Sequence, residues 1–296
     1  MTVFSGIYPA LVTPSDASGG VNVPALEALV DYLLGKGIDG LYIGGTTGEG
    51  IFMSAAERQT LAEVVLRRVN GRIPVIVHVA AVAFADAKAL AQHAAAHGAN
   101  GIASIMPPLY NSAASVVAYY RALAAATPDL PFFSYILNPH IDPVTVMREL
   151  QQTVPNLIGA KYTGPNMYEM RQIMDMNQGK WVMFSGMDEE CVYAAMMGVN
   201  GAIGSTLNIM PGVFRVIREA VKQGDLQAAQ DMQLRVNRVI SAMIEVGYGA
   251  ALRETLRMIG IDAGEPRLPS LPLSAEAKAA LRRKLEACGF AELVAL

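Results

Sequence analysis

One lysine stands where an ammonium group has little reason to be. In Leu157-Ile158-Gly159-Ala160-Lys161-Tyr162-Thr163 it interrupts an otherwise apolar, strand-like run. A lysine withdrawn from water must find a counter-charge, or its pKa falls and the free amine becomes a nucleophile. The bland alternative is a strand-end lysine whose head group reaches back to solvent. The residue alone is compatible with both.

Other groups of useful chemistry stand at comparable places. Thr46 and Thr47 lie in Gly45-Thr46-Thr47-Gly48-Glu49-Gly50. Their hydroxyls and the glycine-rich backbone suit an anion such as a carboxylate, although an ordinary turn has the same composition. Tyr135 closes one apolar run and Tyr110 follows another. A phenol held beside an amine relays protons, while a tyrosine at such a place also serves as a core residue. Thr163, Asp188, Glu189, Ser205 and Thr206 complete the set, with the acids equally suited to a helix N-terminus. His93 and His97 have the i, i+4 spacing of a metal pair, but no glutamate adjoins His93 and the surroundings are alanine-rich, so no metal site is expected. His78 and His140 fall at or just beyond strand ends and are expected to pack. No Ser-His-Asp arrangement is legible.

These residues need elements to bring them together. Apolar runs at 6–13, 40–44, 75–79, 101–106, 131–137, 157–162, 181–185 and 201–204 alternate with helix-period segments at 23–36, 54–69, 84–97, 113–125, 144–152, 167–176, 189–197 and 211–221. Ser54-Ala55-Ala56-Glu57 has the spacing of a capping box. Unbroken apolar strands, each followed by a helix after a short connection, predict a parallel sheet covered by helices, and eight such units predict a closed (β/α)8 barrel. An open doubly wound sheet is the rival, weakened because residues 44–50 carry neither nucleotide-binding glycine pattern. Beyond Gly224 the pattern turns to helices alone, at 225–246, 250–259 and 274–287, the last after a proline-rich link at 266–272. The expected organisation is therefore a barrel over 1–224 carrying the active site, with a helical region over 225–296 packed on it. In such a barrel the chemistry sits at the carboxyl ends of the strands, where the residues named above converge.

Composition narrows the class. The chain has 296 residues, 52% hydrophobic and 17% charged, enough to build a large core. A net charge of -3 with only short basic runs argues against a nucleic-acid partner. Cys191 and Cys288 are too few for a disulfide framework and lack metal-ligand spacing. The first ten residues lack a signal-peptide pattern, and no apolar run reaches the roughly twenty residues that span a bilayer. A cytoplasmic location is expected.

Ala10-Leu11-Val12-Thr13-Pro14, Gly45-Thr46-Thr47-Gly48-Glu49, Tyr135, Gly159-Ala160-Lys161 and the region 186–210 together resemble the pyruvate-dependent class I aldolases. That group contains dihydrodipicolinate synthase and N-acetylneuraminate lyase. The resemblance implies a (β/α)8 barrel with a C-terminal helical region, assembled as a homotetramer and using no cofactor. It implies Lys161 as the lysine that forms a Schiff base with pyruvate or a 2-keto acid, Tyr135 as the proton relay, and Thr46 and Thr47 as binders of the pyruvate carboxylate. Tyr110 falls where the synthase branch has a tyrosine supporting the relay.

Gly186-Met187-Asp188-Glu189, Gly204-Ser205-Thr206-Leu207-Asn208 and Thr163 resemble the sialic acid lyase branch, where the acidic pair and the serine bind hydroxyls of the sugar-acid tail. Where the synthase branch has an arginine five positions after the relay tyrosine, this chain has His140. One departure stands out. The usual Tyr-Asn-x-Pro is replaced by Tyr135-Ile136-Leu137-Asn138-Pro139, which resembles a one-residue insertion. The implied reaction is cleavage of N-acetylneuraminate or a related 2-keto-3-deoxy sugar acid to pyruvate and an aldehyde. A dihydrodipicolinate synthase, a keto-acid dehydratase and a non-catalytic keto-acid binding protein are the alternatives.

Overall fold

A computed structural model describes residues 4–107 and 112–296. Eight parallel strands, β1 (Gly6–Pro9), β2 (Leu41–Ile43), β3 (Val75–His78), β4 (Gly101–Ile105), β5 (Phe132–Leu137), β6 (Leu157–Thr163), β7 (Val182–Ser185) and β8 (Gly201–Gly204), pair in the order β1-β8-β7-β6-β5-β4-β3-β2. A parallel bridge from Ala10 to Tyr42 joins the two ends, supported by the Leu11 N–H donating to the Tyr42 carbonyl at 2.8 Å. The sheet therefore closes, as the strand count predicts.

The helices α1 (Val23–Gly35), α2 (Ala55–Val69), α3 (Phe84–Ala96), α4 (Ala113–Ala124), α5 (Pro143–Thr153), α6 (Met167–Asp175), α7 (Cys191–Met196) and α8 (Pro211–Gln223) follow their strands in turn. The capping box opens α2: the Glu57 N–H donates to Ser54 Oγ at 3.2 Å, and the Ser54 N–H donates to Glu57 Oε2 at 2.9 Å. Helix seven departs from expectation. Asp188–Glu190 form a 3-10 turn, and α7 begins only at Cys191. The remaining helices are α9 (Leu226–Ile244), α10 (Tyr248–Met258), α11 (Ala275–Ala287) and α12 (Phe290–Ala295). Of these α9 packs against α7 and α8, and α11 against α9.

Successive strand residues point to opposite faces. One face builds the core between sheet and helices, from residues such as Leu41, Ile43, Ile102 and Ile136. The other fills the barrel with Tyr8, Tyr42, Ile76, Ala103, Phe133, Phe184 and Ile203, contributed by seven of the strands. Both faces are buried, so the strands read as continuous apolar runs and conceal which residues point inward. The register settles it: Tyr135 pairs with Lys161, and Lys161 with Phe184. Lys161 thus belongs to the inward set.

Candidate active site

Lys161 is 5% exposed and shares the barrel axis with aromatic rings. Its Nζ lies 4.4 Å from the centroid of Tyr135 and 4.9 Å from that of Tyr42, and it has no hydrogen bond or ion pair to any described residue. Ring faces attract a cation but cannot match the hydration it has lost. Two residues further along each strand, the inward positions become Leu137, Thr163 and Gly186. Lys161, Tyr135, Thr46, Thr47, Thr163, Gly186 and Ser205 line one cavity of about 380 Å³ at the carboxyl end of the barrel. Tyr110 lies outside the described residues.

Glycine at 186 is a steric requirement. A Cβ there would overlap Thr163 Oγ1 and come within 2.9 Å of Lys161 Cε. Thr163 Oγ1 is buried with no protein partner among the described residues, which leaves it free to bond a ligand beside the amine. Across the cavity the Thr47 and Ser205 hydroxyls share a 2.7 Å hydrogen bond, and the Tyr248 phenol lines the same wall beside Ser205. Burial, with Asp188 nearby, pushes the Tyr248 phenol well above its ordinary pKa, so it is a hydrogen-bonding group and not a base.

The glycine-rich loop and the end of β1 beside it are each held in place. A Cβ at Gly50 would run into the Gly44 carbonyl, so the turn closes only with glycine there. Glu49 adopts the left-handed conformation at φ 56 and is pinned by Arg253, whose Nη2 lies 2.5 Å from Glu49 Oε2. Asn208 accepts the Val12 N–H at 3.1 Å and donates to the Ala10 carbonyl at 2.7 Å, tying the end of β8 to the end of β1.

Asp188 and Glu189 do not line the cavity. The Asp188 carboxylate is 5% exposed and accepts from the Thr206 N–H at 2.8 Å and the Thr206 hydroxyl at 2.6 Å. Burial raises its pKa to about 6 despite those two bonds. Gln233 and Asn237 of α9 donate to the Asp188 and Glu189 carbonyls at 3.0 and 3.1 Å. The acidic pair thus forms a fixed turn beside the mouth. His78 packs within the barrel, accepting the Ile105 N–H at 3.1 Å, and burial lowers its pKa to about 3. His140 faces a separate groove shared with Tyr162 and Glu169. In the altered stretch after Tyr135, Leu137 pairs in register with Thr163 and Asn138 turns through φ 40 where β5 ends.

Tyr248, Gly249, Leu252, Arg253 and Ser270, together with Phe52, also line the cavity and escape a reading based on strand ends. They come from α10, the proline-rich link and the short 3-10 helix Gly50–Phe52, none of which belongs to a strand end.

A family model described as the dihydrodipicolinate synthetase family matches residues 3–288. The chain is 33% identical to the N-acetylneuraminate lyase of Mus musculus, over 96% of this chain and 92% of that protein. It is 35% identical to the N-acetylneuraminate lyase of Rhizobium meliloti, over 94% and 93% respectively. The solved N-acetylneuraminate lyase of Proteus mirabilis superposes with a TM-score of 0.93 at 33% identity, over 97% of this chain and 99% of that one.

Proposed function

We propose that this chain, which belongs to the dihydrodipicolinate synthetase family, is a class I aldolase that cleaves N-acetylneuraminate, or a closely related 2-keto-3-deoxy sugar acid, to pyruvate and an aldehyde. The Lys161 amine attacks the C2 carbonyl, and loss of water leaves an iminium. This cation draws the electron pair of the C3–C4 bond into an enamine as the bond breaks. Tyr135 carries the proton away from the C4 hydroxyl and returns one to C3. Hydrolysis then releases pyruvate and restores the amine. Thr46 and Thr47 hold the carboxylate, which fixes C2 over the nitrogen.

The observation that carries this reading is the Lys161 nitrogen, 4.4 Å from the Tyr135 ring centre and unpaired among the described residues, at the floor of a cavity walled by hydroxyls. The wall of Thr47, Ser205 and Tyr248 suits a polyol tail, and the apolar surface of Phe52 and Leu252 suits an acyl group. We assign Asp188 and Glu189 to the tail through the turn that they build, and Thr163 and Gly186 to the space beside C2. In this reading residues 1–224 carry the chemistry, residues 225–296 complete the mouth, and Tyr110 supports the relay. A homotetramer in the cytoplasm using no cofactor is proposed on the family resemblance, with light scattering as the check on assembly. No helix among the described residues is long and apolar enough to cross a membrane.

Borohydride reduction in the presence of pyruvate should leave one reduced pyruvate adduct on Lys161. A folded protein with no adduct at that residue by mass spectrometry would overturn the mechanism. Pyruvate release from a panel of 2-keto-3-deoxy acids then identifies the substrate. The synthase reading requires turnover with aspartate semialdehyde. It is disfavoured because His140 lies outside the cavity, and the only arginine lining it, among the described residues, is already bound to Glu49.

A further inference from the structure

On the outside of the barrel, α2 and α3 bring together three groups that the sequence separates. His93 and His97 lie one turn apart on α3 and its C-cap, and Glu63 reaches them from the neighbouring α2. His93 Nε2 is 2.9 Å from Glu63 Oε1, and His97 Nε2 is 3.8 Å from the same oxygen. All three ligand atoms lie within 4.8 Å of one another. Spacing in α3 alone shows two donors. The missing third comes from a different helix, which is why no glutamate next to His93 is needed.

We infer that Glu63, His93 and His97 form a binding site for a zinc-type divalent transition-metal ion that clamps the end of α3 to α2. Two imidazoles and one carboxylate are a donor set that zinc accepts, with water completing the tetrahedron. Donors around one zinc at about 2.0–2.2 Å stand roughly 3.3 Å apart, and the 2.9 and 3.8 Å separations bracket that value. The remaining pair, the two imidazole nitrogens, lies within 4.8 Å, so side-chain rotation of up to about 1.5 Å closes the set on one ion.

A second observation points the same way. His97 Nδ1 lies 2.8 Å from the backbone carbonyl of His93. A carbonyl only accepts, so Nδ1 carries the hydrogen and the lone pair is on Nε2, aimed at Glu63. A backbone carbonyl that fixes tautomer and ring direction is the usual outer-shell partner of a metal-binding histidine. The two imidazoles also stack, with centroids 3.9 Å apart and planes inclined by 27°, so their outer nitrogens face one region of space. In the metal-free state the His93 Nε2–H donates to Glu63. On binding, His93 moves that hydrogen to Nδ1 and offers Nε2 to the ion. The side chains of His97 and Glu63 are 41% and 47% exposed, so an ion enters without opening the fold. This site is independent of the lysine chemistry.

The test is calorimetric titration of chelator-treated protein with Zn2+, alongside thermal unfolding with and without the ion. Wild type should bind one equivalent and unfold at a higher temperature with zinc. His97→Ala should weaken binding at least tenfold and lose the thermal shift, while its metal-free unfolding matches wild type. Glu63→Gln should weaken binding as well, because the amide keeps the shape and loses the charge. Cys288→Ser should bind as wild type does. Absence of saturable binding, wild-type affinity in His97→Ala, or loss of binding in Cys288→Ser would each overturn the assignment.

Discussion

Two cations are buried near the mouth of this barrel to the same degree and surrounded in opposite ways. Arg253 is 2% exposed and fully engaged: it contacts Glu49 at 2.5 Å, the Thr13 carbonyl at 3.1 Å and the Ala263 carbonyl. Lys161 is 5% exposed and has two ring faces. The first arrangement repays the loss of water and locks three segments together. The second leaves the nitrogen without a partner among the described residues, beside a cavity into which a carbonyl carbon fits. Burial alone therefore does not mark a reactive residue; burial without a partner does.

The comparison is open to a direct attack, since methionine can replace either residue at similar volume. Lys161→Met should lower pyruvate release by at least about a thousandfold, as loss of a covalent nucleophile does. Its stability in urea should be unchanged or higher, because an unpaired polar group leaves the interior. Arg253→Met should do the reverse, destabilising the fold by about 3–5 kcal/mol because Glu49 remains buried without its cation. Equal stability losses in the two variants would end the contrast.

Asp188 extends the comparison to a buried carboxyl group with no cation in contact among the described residues. Its pKa is raised from 3.8 to about 6, so between those values the folded state holds a proton that the unfolded state has released. Stability from this group is therefore present below pH 3.8 and is lost as pH rises through about 6. Asp188→Asn removes that loss while leaving an acceptor for Thr206. Its stability relative to wild type should climb between pH 4 and pH 6 by up to about 3 kcal/mol and then level off. A flat difference across that range, from urea unfolding at a series of pH values, would place the ionised carboxylate in a better-compensated setting. The smallest effect is expected at Gly186. Gly186→Ala crowds Lys161 and Thr163 and should reduce kcat by about a hundredfold, since displacing the nucleophile by about an ångström is enough. Unchanged kcat would mean that the strand ends shift to make room.

How far the site could be read beforehand follows from the same geometry. Lys161, Tyr135, Thr163 and Ser205 all sit at the ends of strands, so recognising eight strand-helix units is enough to assemble them, whereas Gly186 is singled out only by the family resemblance. Tyr42 was hidden because its strand is buried on both faces and its inward direction leaves no mark in an apolar run. Tyr248 and Arg253 were hidden for another reason: α10 follows the last barrel unit, and nothing local to it tells which part of the barrel it covers. Glu63 belongs with them, since a contact between neighbouring helices has no sequence period. The acidic pair shows the converse. Asp188 and Glu189 were visible as polar groups in the right place, but whether they face the cavity depends on Thr206 and on α9.

The inward residues come in tiers separated by two positions along each strand, roughly 6.6 Å. Tyr135, Lys161 and Phe184 make one tier, and Leu137, Thr163 and Gly186 the next. In the proposed reaction, bond-breaking and the choice of aldehyde thereby fall to different storeys of one stack. On the proposed reaction, replacing Leu137 alters the upper storey while leaving the amine and its phenol in register below, so substrate range becomes a trait that can be retuned without rebuilding the reaction.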